Sequence, residues 1–214
     1  MDGDRNARAE ILRSSGDELV QAGDPFEMFD DWLALATRHE ISDANAMALA
    51  TSDAEGLPNV RMVLLKSFGP QGFVFYTNSD SLKGGEIAVN AKAAAVLHWK
   101  SLERQIRLRG PVVQVAEAEA DAYFASRSRG SQIGAWASQQ SRALPDRQTL
   151  LDAVAEQTAR FAEQPIPRPP YWIGYRIVPS YLEFWMSKDC RLHDRLIFRR
   201  ASQSDSWTRT RCYP

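Results

Sequence analysis

The stretch Arg104-Gln-Ile-Arg-Leu-Arg-Gly-Pro-Val-Val-Gln-Val115 alternates polar and apolar residues, with Gly110-Pro111 breaking the pattern near its middle. A period of two marks a strand with one buried face, and a Gly-Pro pair inside such a strand marks a bulge that bends it. Bent strands close barrels. On the N-terminal side, Ala46 to Thr51, Val60 to Lys66 and Phe73 to Thr77 read as strands joined by turns at Asp53-Ala-Glu-Gly56 and Gly69-Pro-Gln-Gly72, the spacing of an antiparallel meander. A strand at Ala94 to Trp99 leads into the decisive one. Beyond it come Trp172 to Val178, Tyr181 to Trp185, Leu196 to Arg199 and a short strand around Trp207. Helices are expected from Pro25 past Leu35, from a cap within Asn78-Ser-Asp-Ser81 to about Val89, and over Glu117 to Ser126 and Asp146 to Phe161. The Pro-rich segment from Gln164 to Pro170 reads as a stiff connector. The expected fold class is therefore mainly β with flanking helices (α+β), a partly closed, mainly antiparallel barrel. A parallel nucleotide-binding sheet is not expected, because no Gly-x-Gly-x-x-Gly, P-loop or Gly-x-Ser-x-Gly elbow is present.

The chain has 214 residues and a formal net charge of -1. That length suits one domain, read as residues 25–214 after a polar N-terminal arm over residues 1–24. Near-neutral charge supplies no general attraction to nucleic acid or membrane, so any basic site is local. Cys190 and Cys212 match no zinc spacing, and nothing resembles a secretory leader or a membrane span. Free thiols and a cytoplasmic location are expected, with no metal.

Five clusters carry chemistry. Arg191-Leu-His-Asp-Arg195 packs two guanidiniums, an imidazole and a carboxylate together. If extended, it directs Arg191, His193 and Arg195 to one side, a set suited to an anionic, electron-accepting ligand. In Arg61-Met-Val-Leu-Leu-Lys66 two cations flank an apolar strand, and alternation sends Arg61, Val63 and Leu65 one way and Met62, Leu64 and Lys66 the other. Tyr76-Thr77 precede a capped helix start carrying Lys83, a candidate phosphate seat that alone is an ordinary cap. Gln105 offers an amide to the edge of a ring. Tyr123, Arg127 and Ser131, spaced by four along a helix and its exit ahead of Gln140-Ser141, form a second anion cradle. The bland alternatives are solvated strand ends and, for Arg127 with Arg129, a basic loop touching RNA. His39 is read as a partner for a helix C-terminus and His98 as a packed barrel residue.

Taken in order, Arg61-Met-Val-Leu-Leu-Lys66, Phe75-Tyr-Thr-Asn78, Leu102-Glu-Arg-Gln105, Tyr123-Phe-Ala-Ser-Arg127, Gly130-Ser-Gln-Ile-Gly-Ala-Trp136, Pro167-Arg-Pro-Pro170 and Arg191-Leu-His-Asp-Arg195 resemble the pyridoxine/pyridoxamine 5'-phosphate oxidase family. Each motif is weak alone, whereas their joint order is specific. The resemblance implies a homodimeric split β-barrel binding FMN at the subunit interface. It also implies oxidation of pyridoxine or pyridoxamine 5'-phosphate to pyridoxal 5'-phosphate, with O2 as electron acceptor and H2O2 released. It assigns to the cofactor Arg61, Met62, Val63, Leu64, Leu65, Lys66, Tyr76, Thr77, Lys83, Gln105, Gln140, Ser141, Trp185 and Arg195. It assigns to the substrate Lys66, Tyr123, Arg127, Ser131, Arg191 and His193, with Arg191 and His193 as the catalytic pair.

Some positions depart from the family pattern. Leu82 stands where an arginine usually precedes Lys83, which removes one charge-assisted contact worth on the order of 1.5–3 kcal/mol. Ile11 replaces a tyrosine downstream of Arg8, and Met186-Ser-Lys-Asp-Cys190 replaces a Gln-Gly turn. The alternatives are another split-barrel flavin reductase, which would lack the set Tyr123, Arg127, Ser131 and Arg191-x-His193, or a non-catalytic protein that binds FMN or pyridoxal phosphate.

Overall fold

The computed structural model describes residues 23–214. The expected arm, with Arg8 and Ile11, lies outside the described residues apart from Gly23 and Asp24. Asp24 is the N-cap of α1 (Pro25–His39), its carboxylate accepting from the Phe26 and Glu27 amides at 2.6 and 3.2 Å. The apolar stripe of α1 packs into the barrel, where Phe29 meets Phe73 edge-on at 4.9 Å and Trp32 meets Phe184 at 5.3 Å. Arg38 and His39 lie in its last turn, as a helix C-terminus favours.

The strands are β1 (Ala46–Ser52), β2 (Pro58–Leu64), β3 (Ser67–Gly69), β4 (Gly72–Asn78), β5 (Lys92–Trp99), β6 (Arg104–Gln114), β7 (Trp172–Ile177), β8 (Tyr181–Met186), β9 (Asp194–Arg199) and β10 (Thr208–Arg211). All pairings are antiparallel, in the order β10-β9-β8-β6-β5-β1-β2, while β7 joins β6 to β4 and β3. The helices α2 (Leu82–Val89), α3 (Glu117–Ser126), α4 (Arg129–Ala137) and α5 (Arg147–Arg160) lie outside the sheet. The mainly β reading with flanking helices, a split barrel, therefore holds.

The element that makes this topology is β6. Arg104 to Arg109 pair with β8, whereas Val112 to Gln114 pair with β7. The change of partner falls at Gly110-Pro111. Proline has no amide hydrogen for a ladder, and the Val178 carbonyl approaches so closely that a Cβ on Gly110 would lie 1.9 Å from its oxygen. Ser180 N donates to Arg109 O at 3.1 Å and Val178 N donates to Pro111 O at 2.8 Å, holding the chain on both sides of the bend.

Two local readings change. The segment from Arg129 to Ala137, read as the exit of a helix, is a helix in its own right, capped by the Ser128 hydroxyl. The stretch from Arg191 to Arg195 is not extended throughout. Asp189 to Arg191 form a 3-10 turn with left-handed backbone at Cys190 (φ 54°) and Arg191 (φ 61°), and the strand starts only at Asp194. The left-handed pair rotates Arg191 out of the alternation expected with His193 and Arg195. Both cysteines are free, and among the described residues no helix is long and apolar enough to cross a membrane.

Replacing Gly110 with alanine drives a methyl group into the Val178 carbonyl. Gly110→Ala is expected to destabilise the fold by about 1–3 kcal/mol, read as a lowered denaturant midpoint. An unchanged midpoint would refute the role given to this bend.

Candidate active site

A cavity of about 670 Å³ opens between the end of β2, β4, the start of α2 and the α3–α4 corner. Met62, Val63, Leu64 and Lys66 line one side, Tyr76, Thr77 and Lys83 the floor, and Tyr123, Arg127, Ser131 and Gln140 the other. Residues spread from position 62 to 140 thus converge on one space, and most were selected from the sequence.

Two cationic clusters stand in it. In the first, Lys83 Nζ donates to Gln140 Oε1 at 3.0 Å, Thr77 Oγ1 at 3.1 Å and Ser81 Oγ at 3.3 Å. All three acceptors are uncharged. Burial pushes the Lys83 ammonium down from its ordinary pKa, the charge of Arg61 pushes the same way, and Glu86 opposes both. An anion set here would gain a partly desolvated cation beside a helix N-terminus.

The second cluster is built on aromatic faces. Tyr76 stacks on Tyr123 at 4.2 Å and on Trp172 at 5.0 Å, with interplanar angles of 15° and 7°. The Arg127 guanidinium lies 5.0 Å from the Trp172 ring centre. Its Nη1 is buried with no hydrogen-bond partner among the described residues, and burial lowers its pKa against the partial support of Tyr123. A buried guanidinium donor without an acceptor is costly, and an anion between Arg127, Ser131 and Lys66 would supply one. Lys66 Nζ lies 5.9 Å from the centre of the Tyr123 ring.

Other selected residues fall elsewhere. Arg61 points away from the cavity lining: its Nη2 pairs with Glu86 at 2.9 Å and its Nη1 donates to Thr51. Burial would raise the Glu86 carboxyl, but hydrogen bonds from Thr51, Asn59 and Arg61 outweigh it and leave it below the usual carboxylate range. Leu65 is core, 3% exposed. Ser141, at φ 71°, lines a neighbouring groove with Leu82 and Arg142. Arg129, the alternative candidate for an RNA-facing loop, is exposed but tied to the chain itself, donating to the carbonyls of Phe161, Gln164 and Ala162 beyond α5.

Gln105, Trp185 and Arg195 form a third group, directly opposite one another across β6, β8 and β9. His193 packs on Trp185 with ring centres 4.7 Å apart, and its Nδ1 accepts from Lys188 N at 3.1 Å, which puts the proton of the neutral ring on Nε2. Arg191 is exposed at the end of the left-handed pair. Backbone strain of this kind costs of order 1–3 kcal/mol per residue and collects at functional sites. None of these five residues lines the 670 Å³ cavity. The same row continues to His98, opposite Gln105 on β5 and exposed rather than packed in the barrel as expected, because its parity on β5 is that of the outer face. Glu86 and Glu183, which the motif reading passed over, pair with Arg61 and with Arg195 and Arg107, respectively, and only strand register and packing reveal these pairings.

The pyridoxamine 5'-phosphate oxidase family profile matches residues 34–160, and that of the pyridoxine 5'-phosphate oxidase C-terminal dimerisation region matches residues 172–214. The chain belongs to the pyridoxamine 5'-phosphate oxidase family. It is 60% identical over 197 residues to pyridoxine/pyridoxamine 5'-phosphate oxidase 2 of Ralstonia nicotianae, covering 92% of each chain. With the pyridoxine/pyridoxamine 5'-phosphate oxidase of Brucella canis it shares 57% identity over 203 residues, 95% of this chain and 100% of that one. Among solved structures, PhzG from Burkholderia lata 383 in complex with tetrahydrophenazine-1-carboxylic acid superposes with a TM-score of 0.86 at 32% identity, covering 95% and 98% of the two chains. A pyridoxamine 5'-phosphate oxidase-related, FMN-binding protein from Nostoc punctiforme shares the fold with a TM-score of 0.72 at 15% identity, over 91% and 100%.

Because the Glu86 carboxyl is held low in the fold, its contribution is complete at neutral pH and is lost as pH falls through its folded-state value. The stability gap between the native chain and Glu86→Gln is expected to be present at pH 7 and to close on acidification below the ordinary carboxylate range, followed by urea unfolding across pH. A gap independent of pH would contradict the charge-paired role.

Proposed function

We propose that this family member is an FMN-dependent oxidase that converts pyridoxine 5'-phosphate and pyridoxamine 5'-phosphate to pyridoxal 5'-phosphate, with O2 accepting the electrons and H2O2 released. The observation that carries this reading is the pair of cationic clusters in one cavity, Lys83 with Thr77 and Gln140, and Arg127 with Ser131 and Lys66. Two seats suit two phosphorylated ligands, and the unpartnered Arg127 donor suits a phosphate oxygen better than an uncharged group. The oxidases that share 57–60% identity over nearly the whole chain support the same substrate class.

The flavin phosphate fits the Lys83 cluster, and Met62 to Leu64 give backbone along its ring. FMN supplies hydride acceptance from the substrate carbon and electron delivery to O2. The protein's own task is placement. Lys66, Tyr123, Arg127 and Ser131 hold the substrate phosphate, and the Tyr76-Tyr123-Trp172 stack walls that end of the cavity against water. Arg191 and His193 cover the pyridine ring, with the His193 Nε2 proton and the Arg191 guanidinium available to its charged oxygen.

Those two residues, with Gln105, Trp185 and Arg195, lie off the cavity within one protomer. Four of the five fall inside the segment that matches the dimerisation region. A second copy of the chain therefore completes the site in this reading, and the exposed apolar residues Val60, Met62 and Leu64 on β2 suit burial by that copy. The likeness to PhzG supports a second reading, oxidation of a partly reduced tricyclic carboxylic acid, in which one of the two anion seats takes a carboxylate.

The deciding experiment is an absorbance spectrum of the FMN-loaded protein during anaerobic addition of pyridoxine 5'-phosphate, then air. Bleaching of the flavin bands and their return with oxygen is expected. Bleaching by a tetrahydrophenazine carboxylic acid alone would favour the second reading, and flavin that neither compound bleaches would refute both. Arg127→Ala is expected to raise KM with little change in kcat, while Arg191→Ala lowers kcat with FMN still bound. Steady-state peroxide assays distinguish these patterns, and the reverse pattern would reverse the assignments.

A further inference from the structure

On β8, Leu182 and Phe184 lie in the barrel core, so Tyr181, Glu183 and Trp185 belong to the outer face of the sheet. On β9, Leu196 and Phe198 lie in the core, which places Arg195 on the same outer face. A carboxylate on an outer face is normally wet. Glu183 is only 2% exposed.

It is covered by its own partners. Oε1 accepts from Arg195 Nε at 2.9 Å, while Oε2 accepts from Arg107 Nη2 at 2.6 Å and from the Tyr181 hydroxyl. Burial would push this carboxyl up, yet hydrogen bonds from Arg195, Tyr181 and Arg107 outweigh it and hold it below its ordinary range. It stays ionised at neutral pH. Arg195 Nη1 donates to the Tyr213 carbonyl at 3.0 Å. Glu183 and the C-terminal tail thus occupy the Nε and Nη1 sides of the planar guanidinium. Among the described residues Nη2 has no hydrogen-bond partner, and the side chain is in register with Trp185 and Gln105.

We propose that Glu183 is a positioning residue for the flavin site: it fixes the plane of Arg195 and directs the free edge of that guanidinium at the cofactor. The inference rests on the reading that Arg195 contacts FMN, and it adds a residue to which that reading gives no role. With the carboxylate bonded at Nε and the Tyr213 carbonyl at Nη1, Nη2 is left to the ligand, and the low-dielectric setting makes the orientation stiff. Arg107 and Tyr181 saturate the second carboxylate oxygen, so Glu183 has little freedom to turn.

The test measures FMN affinity of the apo-protein by quenching of flavin fluorescence, with the visible circular dichroism of bound FMN as a second readout. The native chain is compared with Glu183→Gln, Arg195→Ala and the double variant. Glu183→Gln is expected to weaken FMN binding about 10-fold, in the range found for outer-shell partners of ligating groups, and to alter the flavin dichroism. Arg195→Ala is expected to weaken it at least as much. The double variant should bind like Arg195→Ala alone, because Glu183 acts through that side chain. Additive losses, or native affinity and dichroism in Glu183→Gln, would overturn the proposal. A native chain that takes up no FMN would instead overturn the functional reading beneath it. If Glu183→Gln does not fold, Arg195→Lys tests the same point, since a lysine keeps the charge and loses the planar fork. It is expected to lose affinity as Arg195→Ala does, and native affinity there would overturn the proposal.

Discussion

The contact between Gly110 and the Val178 carbonyl governs the architecture, because it lets one strand belong to both sheets of the barrel. Before the bend, β6 carries Gln105 and Arg107 beside β8. After it, β6 pairs with β7, whose Trp172 closes the aromatic stack at the cavity. Both halves of the candidate site are therefore referred to a single strand. Within one protomer their relative placement depends on a bend that admits no side chain.

Buried carboxylates do comparable work at a smaller scale. Glu86 on α2 holds Arg61 of β2, and Glu183 on β8 holds Arg195 of β9 and Arg107 of β6. In each case the desolvation of an ionised acid is met by several donors, the condition under which a buried ion pair is tolerated. Arg61 and Arg195 belong to motifs whose resemblance assigns them to the cofactor, whereas Arg107 does not. Arg127 is the opposite case, a half-buried guanidinium resting on aromatic rings with one donor unanswered.

Much of this was legible in the sequence because it depends on local periodicity. The β6 bend, the capped start of α2 and the grouping of Tyr123, Arg127 and Ser131 rest on alternation, capping residues and short spacings, while Lys66 joined that group only through the family resemblance. What escaped depends on contacts remote in the chain or on backbone that composition does not announce. Helix α4 carries Gly130 and Gly134, poor helix formers, and is held by the Ser128 cap and by Gln132 bonding to the Phe124 carbonyl. The left-handed turn at Cys190 and Arg191 has no glycine to signal it. Glu183 sits in an apolar strand and meets Arg107 across 76 positions, so only the strand register exposes its role.

That register also bears on how the chain can change over time. The row Gln105, Trp185 and Arg195 exists because β8 and β9 present the same parity to one face. The first part of the turn between them, residues 187 to 190, varies in composition, as its departure from the family pattern illustrates, whereas Arg191 and His193 at its end belong to the candidate site. Insertion of one residue within either strand would instead send Trp185 or Arg195 toward the core and bring Phe184 or Leu196 out. Substitutions at residues 187 to 190 are therefore open to drift, while single-residue insertions and deletions in the flanking strands are closed to it.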